Sequence, residues 1–218
     1  MLDPDHPHAL QILSTEHWSL LSARSLGYTE AMSRTSIFVA ALSGAIVALA
    51  LVAQATDFGD EFVAFSLVLL PVVFFLGITT IIRIGQVNFE DAVWVQGMNR
   101  IRHAYLELAP ELEPYFVTST FDDDRGVLAS LAMPNVVPRY QAFVAIPGTI
   151  AVLDAVVAAA TAGIATLALD LRTAVAIGVG IVVFVVTLAC FVVWGVRTVM
   201  RYRVGLTVRF PSGLTSKS

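Results

Sequence analysis

Four long apolar runs decide what this chain can fold into. They cover residues 37–55, 62–82, 143–169 and 174–196. Each is close to or beyond the roughly 20 residues that a helix needs to cross a hydrocarbon core of about 30 Å. Within a bilayer every backbone polar group must find its partner inside the protein, so spanning runs of this kind are helices. The first run, FVAALSGAIVALALVAQA, carries no charge. The second is bounded by Glu61 and Arg83, and the fourth by Arg172 and Arg197. With 57% hydrophobic and 14% charged residues, the chain departs from the composition of a soluble globular domain. The expectation is an all-α membrane protein with four transmembrane helices in two hairpins.

The first run begins some 36 residues into the chain, behind an acidic and histidine-bearing stretch, and has no A-x-A cleavage site behind a short h-region, so it is expected to stay as a helix and not to be removed as a signal peptide. Orientation follows from the basic residues. Arg83, Arg100, Arg102, Arg125 and Arg139 lie between the second and third runs, and Arg197, Arg201, Arg203, Arg209 and Lys217 follow the fourth. The short loops after the first and third runs carry only Arg172. The positive-inside rule therefore puts both termini and the central segment in the cytoplasm. A strong preference for Arg over Lys suggests a GC-rich bacterial genome, hence the bacterial cytoplasmic (inner) membrane.

The chain divides accordingly. Residues 1–35 form a cytoplasmic N-terminal helix, 36–84 the first hairpin, 85–141 a cytoplasmic helical segment, 142–197 the second hairpin and 198–218 a cytoplasmic tail. The central segment is too long for a structureless loop. Trp94, Met98, Ile101, Tyr105 and Leu108 recur at alternating spacings of four and three, an apolar stripe on one helix face. The second span is predicted to continue through this stripe as one helix ending at Pro110. The N-terminal helix is expected to pack on the stripe, which would also help copies assemble. A short helix is predicted from Asp124 to Ala132 behind three aspartates, a favourable helix start. Residues after Arg209 are expected to be disordered.

Asp154 is the only ionisable residue between Ala142 and Leu169. A carboxylate at membrane depth costs at least about 2.5 kcal/mol unless it faces protein or water. Arg83, at the cytoplasmic end of the second span, is its candidate ion-pair partner, with Thr149 and Thr166 as hydrogen-bond alternatives. Asp154, Ala158, Ala162 and Thr166 fall at intervals of four beside a second row of small residues, Ala151, Ala155, Ala159 and Gly163. Such rows either pack helices closely or line an axial path shared by several copies. Asp154 is thus either a structural ion pair or a cation or proton site on that path. Pro71, in the middle of the second span, is a static kink or a gating hinge. Asp57, Asp60, Glu61 and Asp170 are solvated loop charges or an acidic outer mouth.

No catalytic constellation, cofactor motif, metal framework or nucleic-acid signature is present, and the single Cys190 lies in the fourth run. An enzyme is not expected. The stretches EHWSLLSARSLGYTEAMSR and MNRIRHAYLELAPELEPYF resemble a family of uncharacterised small bacterial integral membrane proteins frequent in actinobacteria. A looser similarity to SLATT-type membrane effectors covers the first hairpin and its flanking helices. That similarity implies pore formation, but the second hairpin departs from the SLATT pattern. Neither resemblance supplies a functional residue. The functional expectation is a homo-oligomer in the lipid bilayer that conducts ions, cations above all. The alternative is a non-conducting scaffold or sensor whose cytoplasmic helices bind a protein partner. A small transporter ranks below both, because only Asp154 supplies charge at midplane.

Overall fold

A computed structural model describes residues 8–131, 146–203 and 207–213. Every element among them is helical: α1 (Ala9–Thr56), α2 (Asp60–Leu108), a 3₁₀ helix (Pro110–Tyr115), α3 (Asp124–Ser130), α4 (Ile146–Leu167) and α5 (Thr173–Arg203). Among the described residues α1, α2, α4 and α5 are long and apolar enough to cross a membrane. The chain is therefore a multi-pass membrane protein by the length and composition of its helices.

Two compact units make up the chain. An apolar unit takes 30–85 and 139–198, and a polar unit takes 1–29, 86–138 and 199–218. Helices α1 and α2 each contribute to both.

The predicted continuity of the second span into the central segment holds. α2 runs through Pro71 without a break and stops where Ala109 and Pro110 follow. Pro71 is exposed on α2, and its missing N–H leaves the helix one hydrogen bond short at that turn. Asp60 and Glu61 occupy the first turn, where negative charge complements the helix dipole. Between α1 and α2, Asp57 and Phe58 take the left-handed conformation, with φ of 48° and 60°. The Phe58 N–H donates to the Ala53 carbonyl and the Gly59 N–H to the Thr56 carbonyl, at 3.2 and 2.8 Å. Asp170, φ 56°, does the same between α4 and α5. Aspartate tolerates this left-handed geometry; phenylalanine rarely adopts it.

In the polar unit, α1 runs antiparallel to α2. His17 faces Tyr105 with ring centroids 6.4 Å apart, Leu20 covers Gly97, Arg24 pairs with Asp91 at 2.6 Å and Trp94 covers Gly27. A methyl at Gly27 would approach the Trp94 ring to 2.8 Å, so the glycine is what lets the indole lie flat on α1. Val95, Met98 and Val127 form the core, with Leu20 and Leu131 packed around it. The expected docking of the N-terminal helix on the Trp94 stripe is thus observed. α1 and α3 pack over part of that stripe. Met98 and Ile101 are buried, and Trp94, Tyr105 and Leu108 are half-buried.

The short helix α3 begins where the aspartates predict. Asp123 is its N-cap, with the carboxylate accepting the Gly126 N–H at 2.8 Å. Ala132 lies outside the described residues. The expected disorder after Arg209 is corrected for residues 210–213. The fully buried Asp122 carboxylate accepts the backbone N–H groups of Arg209 and Phe210, the latter at 2.7 Å. Asp123 accepts the N–H and hydroxyl of Ser212, and Phe210 stacks on His103 at 4.1 Å. The aspartates that start α3 therefore also fasten a C-terminal strap. Buried carboxylates need hydrogen-bond donors, and the strap's backbone supplies them.

Candidate functional site

The apolar unit buries few polar side chains. Ser66 and Thr80 on α2, and Asp154 and Thr166 on α4, are buried, and Asp154 has no solvent exposure. Neither carboxylate oxygen of Asp154 has a hydrogen-bond partner among the described residues. Its carboxyl group lies directly against Gly77 of α2. A methyl at Gly77 would stand 2.9 Å from Oδ2 and nearer still to Oδ1 and Cγ. Gly77 is buried, and its missing side chain makes the notch that holds the carboxyl group.

Arg83 is not the partner of Asp154, contrary to expectation. Its guanidinium forks onto Glu30, with Nε donating to Oε1 at 2.9 Å and Nη2 to Oε2 at 2.7 Å. Arg34 donates to the same carboxylate at 3.0 Å. Hydrogen bonds from Arg83 and then Arg34 hold Glu30 at a pKa of about 2, well below its ordinary 4.5. Glu30 lies about two helical turns before the first apolar run, where the carboxylate stays partly solvated. A bidentate pair there avoids the desolvation that pairing at Asp154 would demand.

The other predicted residues fall as follows. Thr166 is buried, and its hydroxyl donates to the Ala162 carbonyl of its own helix at 2.7 Å. Ala158 and Ala162 are half-buried. Ala159 and Gly163 face α5, where the Ala176 carbonyl approaches Gly163 and the Ala159 carbonyl approaches Gly180. That second row is a close helix contact of the kind small residues permit. Asp57, Asp60, Glu61 and Asp170 are all exposed. Sequence reasoning missed Gly77 as the partner of Asp154 and Glu30 as the partner of Arg83. Gly77 carries a weak signal: it shares the α2 face of Leu70 and Val73, where a side chain is otherwise expected.

Among the described residues no three His, Cys, Asp or Glu side chains converge as a metal would require. What the site offers is one carboxyl group, shielded from solvent, with two oxygens and no donor to them among the described residues. That arrangement can accept a cation or a proton, and it repels anions. Together the four apolar helices and this buried carboxyl group belong to a helical multi-pass membrane protein. No family model, curated protein or solved structure matches this chain.

Proposed function

We propose that the chain is a homo-oligomeric protein of the bacterial cytoplasmic membrane, with both termini inside and its spans in two hairpins, and that it lets cations permeate. The observation that carries this reading is the Asp154 carboxyl group, fully buried in an apolar unit and without a hydrogen-bond donor. A membrane protein keeps such a group at a cost of at least about 2.5 kcal/mol, and ion or proton paths are where that cost is met by use. The arginine asymmetry supports the orientation. The exposed Asp57, Asp60, Glu61 and Asp170 would concentrate cations at the outer face.

Ion flux through purified protein in liposomes tests it, wild type against Asp154→Asn. Flux in the wild type, altered in rate or selectivity by the substitution while assembly is kept, is the expected result. Liposomes loaded with folded protein that leak no more than empty ones would remove the permeation reading.

A second reading has its own observation. The polar unit is a finished structure with a buried Asp122 at its centre and a strap tied across it, which suits a scaffold or sensor that binds a cytoplasmic protein partner. In that case changes at Trp94 or Tyr105 abolish function, while Asp154→Asn acts through stability alone.

A further inference from the structure

The positions of the apolar unit's buried polar groups locate the path. A methyl on Gly163 would lie 3.7 Å from the Ala176 carbonyl, and one on Gly180 would lie 3.3 Å from the Ala159 carbonyl, so α4 and α5 are antiparallel. Asp154 sits on Gly77, and the Trp194 ring sits on Gly85, 3.2 Å from a methyl placed there. Moving from Gly77 to Gly85, α2 advances as α5 does on its way to Trp194. That is toward the end where α4 begins, so α2 and α4 are antiparallel. Ser66 precedes Gly77 by about three helical turns, and Thr166 follows Asp154 by about the same distance. The two hydroxyls therefore stand level. Thr166, however, lies about 120° round α4 from Asp154, toward the side where Ala159 and Gly163 meet α5, so Ser66 is the one that shares the side of Gly77 and Asp154. Thr80 lies about one turn beyond Gly77 in the opposite direction.

The chemistry along this line is uniform. Ser66 donates its hydroxyl proton to the Phe62 carbonyl at 2.7 Å and Thr80 to Leu76 at 2.7 Å. Each proton is turned back into its own helix, which leaves the hydroxyl oxygens as acceptors. Together with Asp154 they present oxygen and no donor. One carboxylate balances a single positive charge; a divalent ion would leave one charge uncompensated in an apolar interior. Between the Asp154 level and the Ser66 level, α2 buries Leu70 and Val73, with Pro71 between them and Ala158 and Ala162 on the α4 row.

We infer that the path for a monovalent cation, the proton included, runs inside each chain between α2 and α4, through Thr80, the Gly77–Asp154 notch and Ser66. An axis shared among copies is not needed, and a homo-oligomer is then an array of parallel paths. Leu70 and Val73 are the apolar barrier between the two polar levels, a constriction that excludes water until α2 moves. This rests on the permeation reading and refines where the ion goes.

Two experiments test it, with sodium, potassium and proton gradients run separately to identify the ion. Wild-type and Asp154→Asn chains are co-expressed at set ratios, purified together and placed in liposomes. If each chain has its own path, flux falls in direct proportion to the substituted fraction. A fall steeper than proportional means a shared axis and overturns the inference while leaving permeation standing. In a Cys190→Ser background, Ser66→Cys should become sensitive to silver ions, with flux falling at least about tenfold, a barrier change of about 1.4 kcal/mol. Val156→Cys is the control on α4, exposed and on the far side of the helix from Asp154, and should stay insensitive. A Ser66→Cys protein that conducts normally in silver overturns the path. A wild type without flux overturns both readings together.

Discussion

Adding one methyl group at Gly77 would drive a carbon into the Asp154 carboxyl group. Over-packing of this kind costs about 1–3 kcal/mol, so Gly77→Ala should lower the thermal midpoint in detergent, and Gly77→Ala/Asp154→Ala should recover most of the loss. Recovery is the informative part, because it measures the contact and not merely the mutation. Glu30 gives a pH prediction. Its folded-state pKa of about 2 lies below its ordinary 4.5. The unfolded chain therefore takes up a proton first as pH falls, and the stability supplied by Arg83 and Arg34 is complete above about pH 4.5 and lost toward pH 2. Wild type should exceed Glu30→Gln in thermal midpoint at neutral pH, and the gap should close across that window. A gap unchanged down to pH 2 would mean the ion pair contributes nothing. At this scale the sequence announced Asp154 by isolation, since a lone charge in an apolar run needs no partner to be noticed. The partner itself was hidden. Arg83 offered the nearest opposite charge in the mind's eye, but Glu30 competes for it from a distant part of the chain, and a glycine signals a cavity only when its neighbour is known.

Helix α2 and the C-terminal strap carry the predictions that belong to elements. Asp122 is buried and receives Arg100 together with two strap N–H groups. Burial works to raise its pKa, but those donors outweigh it and hold the carboxyl below the ordinary range. Asp122→Ala removes charge-assisted hydrogen bonds worth about 1.5–3 kcal/mol. Hydrogen exchange at the Arg209 and Phe210 amides should accelerate, whereas exchange within the apolar unit should not change. Equal protection in wild type and variant would show that the strap is held by the His103–Phe210 stack instead. The long helix was readable because no breaker interrupts the apolar period between Ile82 and Leu108 except Gly85 and Gly97, and both glycines prove to be seats for neighbours, Trp194 and Leu20. The strap was not readable. Its sequence has no periodicity, and its anchors are main-chain groups, which every residue possesses.

On the scale of the whole molecule, the prediction concerns sidedness. In a Cys190→Ser background, cysteine at the exposed positions Asp57 or Asp170 should react with a membrane-impermeant thiol reagent on intact cells. Cysteine at Val117, 98% exposed, should react only after the cells are opened. Labelling of Val117→Cys on intact cells would reverse the proposed orientation. The apolar runs made the four long apolar helices legible, because hydrophobic length is a property of one segment at a time. The division into units was only partly legible. The expected cytoplasmic and membrane segments follow the chain, whereas the polar unit gathers three separate stretches of it.

That gathering has a practical meaning for anyone who wishes to divide the protein. No single cut releases the polar unit, because residues 1–29, 86–138 and 199–218 are all parts of it, and both α1 and α2 cross from one unit to the other within a continuous helix. A nested series of truncations would leave every fragment with an exposed half-core. The polar unit can be isolated only by splicing: joining α1 beyond Gly27 to α2 before Asp91 with a short turn, and supplying the strap as a separate peptide. Trp94 on Gly27 and Arg24 on Asp91 place those two ends side by side.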